Sequence, residues 1–166
     1  MLKIWPGRDT WYAECGILSK ENEGHFERDP NRAIHGPRGQ RWCNKGLQTK
    51  GEWFRVHLGK SRFVSRFILP AHEVGGYPMK YKVKVMADDD GYWIDYGVHD
   101  GPIDYSFGRP IKISRIHVEI EEAYCSEHGE VYGWSICDVQ VFEPVLPIRY
   151  LNRKCFNRKW AKPVGM

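Results

Sequence analysis

Met79-Lys80-Tyr81-Lys82-Val83-Lys84-Val85 alternates without a break. Tyr81, Val83 and Val85 fall on one side, and Lys80, Lys82 and Lys84 on the other. A period of two with one charged face predicts a strand in an antiparallel sheet that is wet on one side. Asp88-Asp89-Asp90-Gly91 then breaks the pattern as a turn. Upstream, Phe54, Val56 and Leu58 alternate with Arg55 and His57, and Gly59-Lys60-Ser61 reads as a turn into a second strand, Arg62 to Leu69. Downstream, Ile103 to Phe107 and Pro110 to Ile120 read as strands. The apolar parity of the latter slips between Ile113 and Ile116, the mark of a bulge. Trp134 to Phe142 reads as a closing strand stopped by Glu143-Pro144. Residues 19–41 are polar and rich in Gly and Pro, which predicts a long loop. Helical periodicity is nearly absent before residue 147. Short strands separated by turn signals predict an all-β sandwich or barrel.

Composition agrees. The 166 residues are 42% hydrophobic, 28% charged and 14% aromatic. That suits one globular domain with a sizeable core and excludes a mainly disordered chain. No apolar run approaches the length of a membrane span. Met1 to Gly7 holds no long apolar stretch, so no secretory signal is expected. This does not fix a location: cell-surface, virion-associated and cytoplasmic-before-assembly all stay open. The five cysteines are scattered and odd in number, which favours free thiols over a disulfide framework.

Charge is concentrated at one end. Residues 147–166 carry six Lys and Arg and no acid, so the chain's +4, less this +6, leaves −2 on residues 1–146. The expected organisation is a sandwich domain over 1–146 and a basic tail over 147–166. The tail also holds Tyr150, Leu151, Phe156 and Trp160 near helical spacing. It is expected to pack back or to dock a partner, with Arg153, Lys154, Phe156, Arg158 and Trp160 as docking residues. A negative body argues against a nucleic-acid-binding domain.

Glu52-Trp53-Phe54-Arg55-Val56-His57-Leu58-Gly59 resembles a signature of the discoidin, or coagulation-factor C-type, domains. These belong to the galactose-binding-like superfamily, which also contains many carbohydrate-binding modules. Ala33-Ile34-His35-Gly36 with Arg41-Trp42, Val64 to Leu69, Pro78 to Met86, Asp90-Gly91-Tyr92-Trp93, Arg115-Ile116-His117-Val118 and Trp134 to Phe142 follow the family's order. The resemblance spans residues 30–143. It implies a jelly-roll β-sandwich of about eight antiparallel strands whose end loops bind ligand. It also implies a calcium site near residues 33–36. Asp138 would supply one carboxylate there, but the family's Asp is replaced by His35, a poor ligand for a hard cation. A second departure puts His57 where the family has an Asp.

Treating these strands as alternately up and down brings loops 43–51, 71–78 and 121–133 to one end. Sugars need a ring against their C–H face and polar groups for their hydroxyls. Arg41, Asn44, His72, Glu73, Tyr77, Tyr124, His128 and Tyr132 supply that mixture and are the candidate ligand residues. Trp42, Trp53, Trp93 and Trp134 are expected to pack rather than to bind. No GxSxG, HExxH or P-loop pattern is present, and the Asp88–Asp90 run reads as a solvated turn. Cys125-Ser126-Glu127-His128 has one zinc half-site spacing without a second. The expected function is non-enzymatic recognition of a glycan or glycoprotein. The alternative is a structural or assembly protein, a virion decoration or attachment subunit docked through its tail within a larger assembly or oligomer.

Overall fold

Phe54, Val56 and Leu58 all point into the core from a strand that does not turn at Gly59. The computed structural model describes residues 3–4, 8–16, 29–35, 41–44, 47–71, 76–87, 91–124 and 133–144. They form β1 (Lys3–Ile4), β2 (Tyr12–Gly16), α1 (Arg32–His35), β3 (Trp42–Cys43), β4 (Trp53–Leu69), β5 (Lys80–Ala87), β6 (Tyr92–Asp100), β7 (Ile103–Glu122), β8 (Ser135–Ile136) and β9 (Gln140–Glu143). The larger sheet runs β1-β9-β4-β7-β5-β6, with β2 beside β4, and β3 and β8 form a second ladder. All these pairings are antiparallel.

Two long strands organise the molecule. β4 and β7 pair from Trp53↔Glu119 to Leu69↔Ile103. The expected turn at 59–61 and the break at 108–110 are both absent: each lies inside one continuous strand. Register shifts take their place, between His57 and Arg62 and between Val64 and Arg66. The first leaves the inward parity unchanged, so Phe54, Val56, Leu58 and Val64 all face the core, and the second moves it by one residue, to Phe67 and Leu69. The slip expected between Ile113 and Ile116 is the matching irregularity on β7, where Met86↔Arg115 passes to Ala87↔Ile113.

β5 behaves as its alternation predicts, with Tyr81, Val83 and Val85 buried and Lys80 exposed. Trp42 and Trp134 are buried and meet edge to face with centroids 5.3 Å apart, with Phe54 4.9 Å from Trp42. Trp53 and Trp93 pack elsewhere, against His117 on the outer face of the sheet, and Trp93 is 38% exposed. Trp134 to Phe142 is two short strands, split at Asp138, whose φ is +50°. Cys15 and Cys137 are free thiols. No described helix is long and apolar enough to cross a membrane.

Candidate functional site

Glu52 enters β4 with 1% of its surface exposed, and an end of the sandwich is built around it. A buried carboxylate needs donors. Asn44 Nδ2 donates to Glu52 Oε2 at 2.9 Å, and the Thr49 N–H donates to the same oxygen at 3.2 Å. Asn44 also holds Trp134 from both sides. Its Oδ1 accepts the Trp134 N–H at 2.8 Å, and its own N–H donates to the Trp134 carbonyl at 3.0 Å. The Gly51 N–H donates to the Ile120 carbonyl, and the Ile120 N–H to that of Glu52, both at 2.8 Å. The segment before β4 is thereby stitched to the end of β7 and the start of β8.

The segment before β5 joins them through a parallel bridge between Gly76 and Trp134. A side chain at Gly76 would lie 3.4 Å from Gln48 Nε2 and 3.5 Å from the Tyr124 ring, so glycine suits this close crossing. Gln48 Oε1 accepts the Tyr124 N–H at 3.0 Å. Its Nε2 is buried without a partner among the described residues. The half-buried rings of Tyr77 and Tyr124 stand side by side, centroids 6.3 Å apart and tilted by 52°. A hydrogen bond from Lys50 holds the Glu121 carboxyl below its usual range, and Lys82 adds to the effect. This end therefore offers two aromatic faces on a rigid polar frame.

The structure sorts the expected ligand residues. Tyr77 and Tyr124 come together. Asn44 does not present its amide to solvent: it is fully buried, and the frame uses both ends of that amide. Arg41 does not join the pair. Its charge is felt at Cys137, beyond the Trp42↔Ile136 pairing, on the side of the ladder away from Gly76. His72, Glu73, His128 and Tyr132 lie outside the described residues, as do Arg153, Lys154, Phe156, Arg158 and Trp160 of the tail. Gln48, close in sequence to Asn44, joins the frame, and Glu52 is an addition whose signal was an acid at the head of an alternating strand.

The residues near the expected calcium do not fit that ion. Arg8 Nη1 donates to Asp138 Oδ1 at 2.8 Å, and Gln140 Nε2 to Oδ2 at 3.2 Å. His35 Nε2 donates to the Trp11 carbonyl at 2.6 Å. A calcium ion would have to displace a guanidinium and accept nitrogen where it prefers oxygen. Among the described residues no group of three or more His, Cys, Asp or Glu is arranged to hold a metal.

The F5/8 type C domain model matches residues 17–138. No curated protein matches the chain. Several solved structures do. A family 32 carbohydrate-binding module from Clostridium perfringens NanJ, in complex with galactose, is 18% identical with a TM-score of 0.63, over 82% of this chain and 96% of that one. Chitosan-binding module 1 of a chitosanase/glucanase from Paenibacillus sp. IK-5 is 26% identical with a TM-score of 0.54, over 80% and 94%. An F5/8 type C domain from Bacteroides fragilis is 15% identical with a TM-score of 0.60, over 87% and 98%. The shared architecture is the galactose-binding-like β-sandwich.

Proposed function

Because the chain belongs to the F5/8 type C, or discoidin, domain family, we propose that it is a non-catalytic carbohydrate-binding module. It takes a surface glycan at the end of the sandwich marked by Tyr77 and Tyr124. The observation that carries this reading is the pair of rings set 6.3 Å apart on a frame pinned by Glu52 and Asn44. Each ring can cover the apolar face of a pyranose, whose hydroxyls then meet polar groups at the rim. We assign that rim to His72, Glu73, His128 and Tyr132 of the same two loops. The similarity to modules solved with galactose and with a GalNAc-containing disaccharide supports the ligand class. A decoration or attachment role would rest on residues 147–166, and no described residue or named relative speaks for it.

A glycan array on the purified chain tests the reading. A defined set of hits is expected. Tyr124→Ala should weaken them by about tenfold, the equivalent of about 1.4 kcal/mol. The unfolding curve should barely move, because this ring is only half-buried. A blank array from folded protein, or hits indifferent to both Tyr77→Ala and Tyr124→Ala, would refute it.

A further inference from the structure

The outer face of the large sheet carries a hollow of about 520 Å³ that shares no residue with the Tyr77–Tyr124 pair. It lies on the start of β4, the end of β7, the middle of β5 and the edge strand β6. The register explains how it forms. Glu14, Arg55, His117, Lys84 and Asp95 are successive cross-strand partners, one from each of five adjacent strands. They make a single polar row across the face. Trp53 and Trp93 line the same hollow, and the register puts them on opposite sides of that row.

Both indoles are held in place. Gly16 is the cross-strand partner of Trp53, and a side chain there would overlap the Trp53 indole. The Arg55 guanidinium lies between the rings, 4.5 Å from the Trp53 centroid and 5.1 Å from that of Trp93. Its Nη1 reaches Glu14 at 3.4 Å and its Nε reaches His117 Nδ1 at 3.4 Å. His117 is packed against both indoles, at 5.3 and 5.5 Å. Burial, then the charge of Arg55, pulls its pKa down to about 4, so the ring is neutral near pH 7. With Nδ1 accepting from Arg55, the proton sits on Nε2, facing Glu119 at 3.5 Å. Lys84 pairs with Glu119 at 3.0 Å.

The chemistry of this lining selects its ligand. Arg55 and Lys84 are balanced by Asp95 and Glu119, so the hollow is formally neutral. Two carboxylates oppose a phosphate chain, and two cations oppose a cationic ligand. An apolar ligand would have to strip water from four charged groups and return nothing to them. A neutral polyhydroxylated ligand fits: the indoles meet its C–H faces, and the paired charges offer donors and acceptors together. The indole centroids, 4.5 and 5.1 Å from the Arg55 guanidinium, lie within about 10 Å of each other, a spacing that suits a disaccharide-sized stretch laid over both. We propose that this face is a second carbohydrate site, taking a short neutral oligosaccharide stretch laid across Trp53, Arg55 and Trp93, independent of the loop end.

Affinity electrophoresis on gels containing xylan, galactomannan, mixed-linkage β-glucan, polygalacturonate or heparin tests the site with full-length protein. Retardation is expected in at least one neutral gel. It should fall by at least about tenfold in affinity for Trp93→Ala and persist in Trp93→Tyr and Tyr124→Ala. Trp93 is partly exposed on the edge strand, so its loss should leave the unfolding midpoint in place. No retardation in any neutral gel, or retardation unchanged by Trp93→Ala, would overturn the site. Retardation by neutral gels that only Tyr124→Ala removes would overturn it while sparing the loop end. Retardation by polygalacturonate or heparin alone would also overturn it.

Discussion

Asn44→Ala removes two hydrogen bonds with a single truncation. One runs to the Glu52 carboxylate at 2.9 Å and the other comes from the Trp134 N–H at 2.8 Å. A bond to a charged acceptor contributes about 1.5–3 kcal/mol, and a buried N–H left without a partner costs about 1–3 kcal/mol. Asn44, Glu52, Trp134 and Ser135 are all essentially buried, so water cannot take over either bond. The loss should therefore be about 2.5–6 kcal/mol. Against a total stability of about 5–15 kcal/mol this is large. At about 2–4 °C per kcal/mol for a domain of this size, the melting temperature should drop by about 5–24 °C. Urea unfolding followed by tryptophan fluorescence reads the change, since Trp134 sits at the lesion. Leu47→Ala is the control: the residue is 62% exposed on the same segment and should stay within about 0.5 kcal/mol of the parent. An Asn44→Ala protein within about 1 kcal/mol of the parent would refute the view that this amide pins the end of the sandwich.

Acid should destabilise the fold through His117. Its folded pKa of about 4 lies below the ordinary 6.5, chiefly because it is buried, with Arg55 and Lys84 adding to the shift and Glu119 opposing it. The unfolded chain then takes up the proton first. The contribution is intact above about pH 6.5 and is lost as pH falls toward 4, amounting to roughly 3 kcal/mol at 1.36 kcal/mol per pH unit. His57 is shifted the same way by burial, against its bond to Glu14. Urea midpoints at pH 7 and 4.5 should converge for His117→Gln, and a His117→Gln pH slope equal to the parent's would contradict the assignment. Chelation should leave the melting temperature within about 1 °C of the untreated protein, because Arg8 occupies Asp138. Arg8→Ala should cost no more than about 1 kcal/mol for so exposed a pair. A chelator-induced drop would return a cation to that carboxylate.

β5 was legible because it has one wet face and one buried face, and alternation records that difference directly. The bulge at residues 113–116 was legible for the same reason, since it leaves a parity slip in the apolar residues. Gly59 misled because its φ of +71° serves a different purpose from a chain reversal. A side chain there would fall 2.6 Å from Thr10 Oγ1, so the glycine lets a neighbouring segment press against a continuing strand. The strands either side of it were therefore read as reversing when they run on. The grouping of loops at one end still held for the described parts, because the segment after β4 returns to Gly76 beside Trp134. The tryptophans show what residue type hides and parity reveals. Trp53 shares its parity with Arg55 and His57, opposite to Phe54, Val56 and Leu58. That pattern places it on the wet face whatever its hydrophobicity. Trp93 stands in the same relation to Asp95, on an edge strand where both faces are open.

Glu52 and Trp53 are consecutive, and successive residues on a strand point to opposite faces. Glu52 therefore anchors the end loops from inside while Trp53 walls the hollow outside. The two proposed sites start from one short segment, which is paired with β2 on one side and β7 on the other. They differ in what carries their contacts. Tyr77 and Tyr124 sit on connections outside the strands, which accept changes of sequence and shape most easily. The walls and floor of the hollow sit on paired strands, with Trp53 fitted over Gly16 and Arg55 held between two rings. Groups fixed in this way keep their spacing when a ligand arrives, so they select for a chain that already fits. The loop end is thus the place where ligand identity can drift, and the sheet face is the place where one extended shape is required.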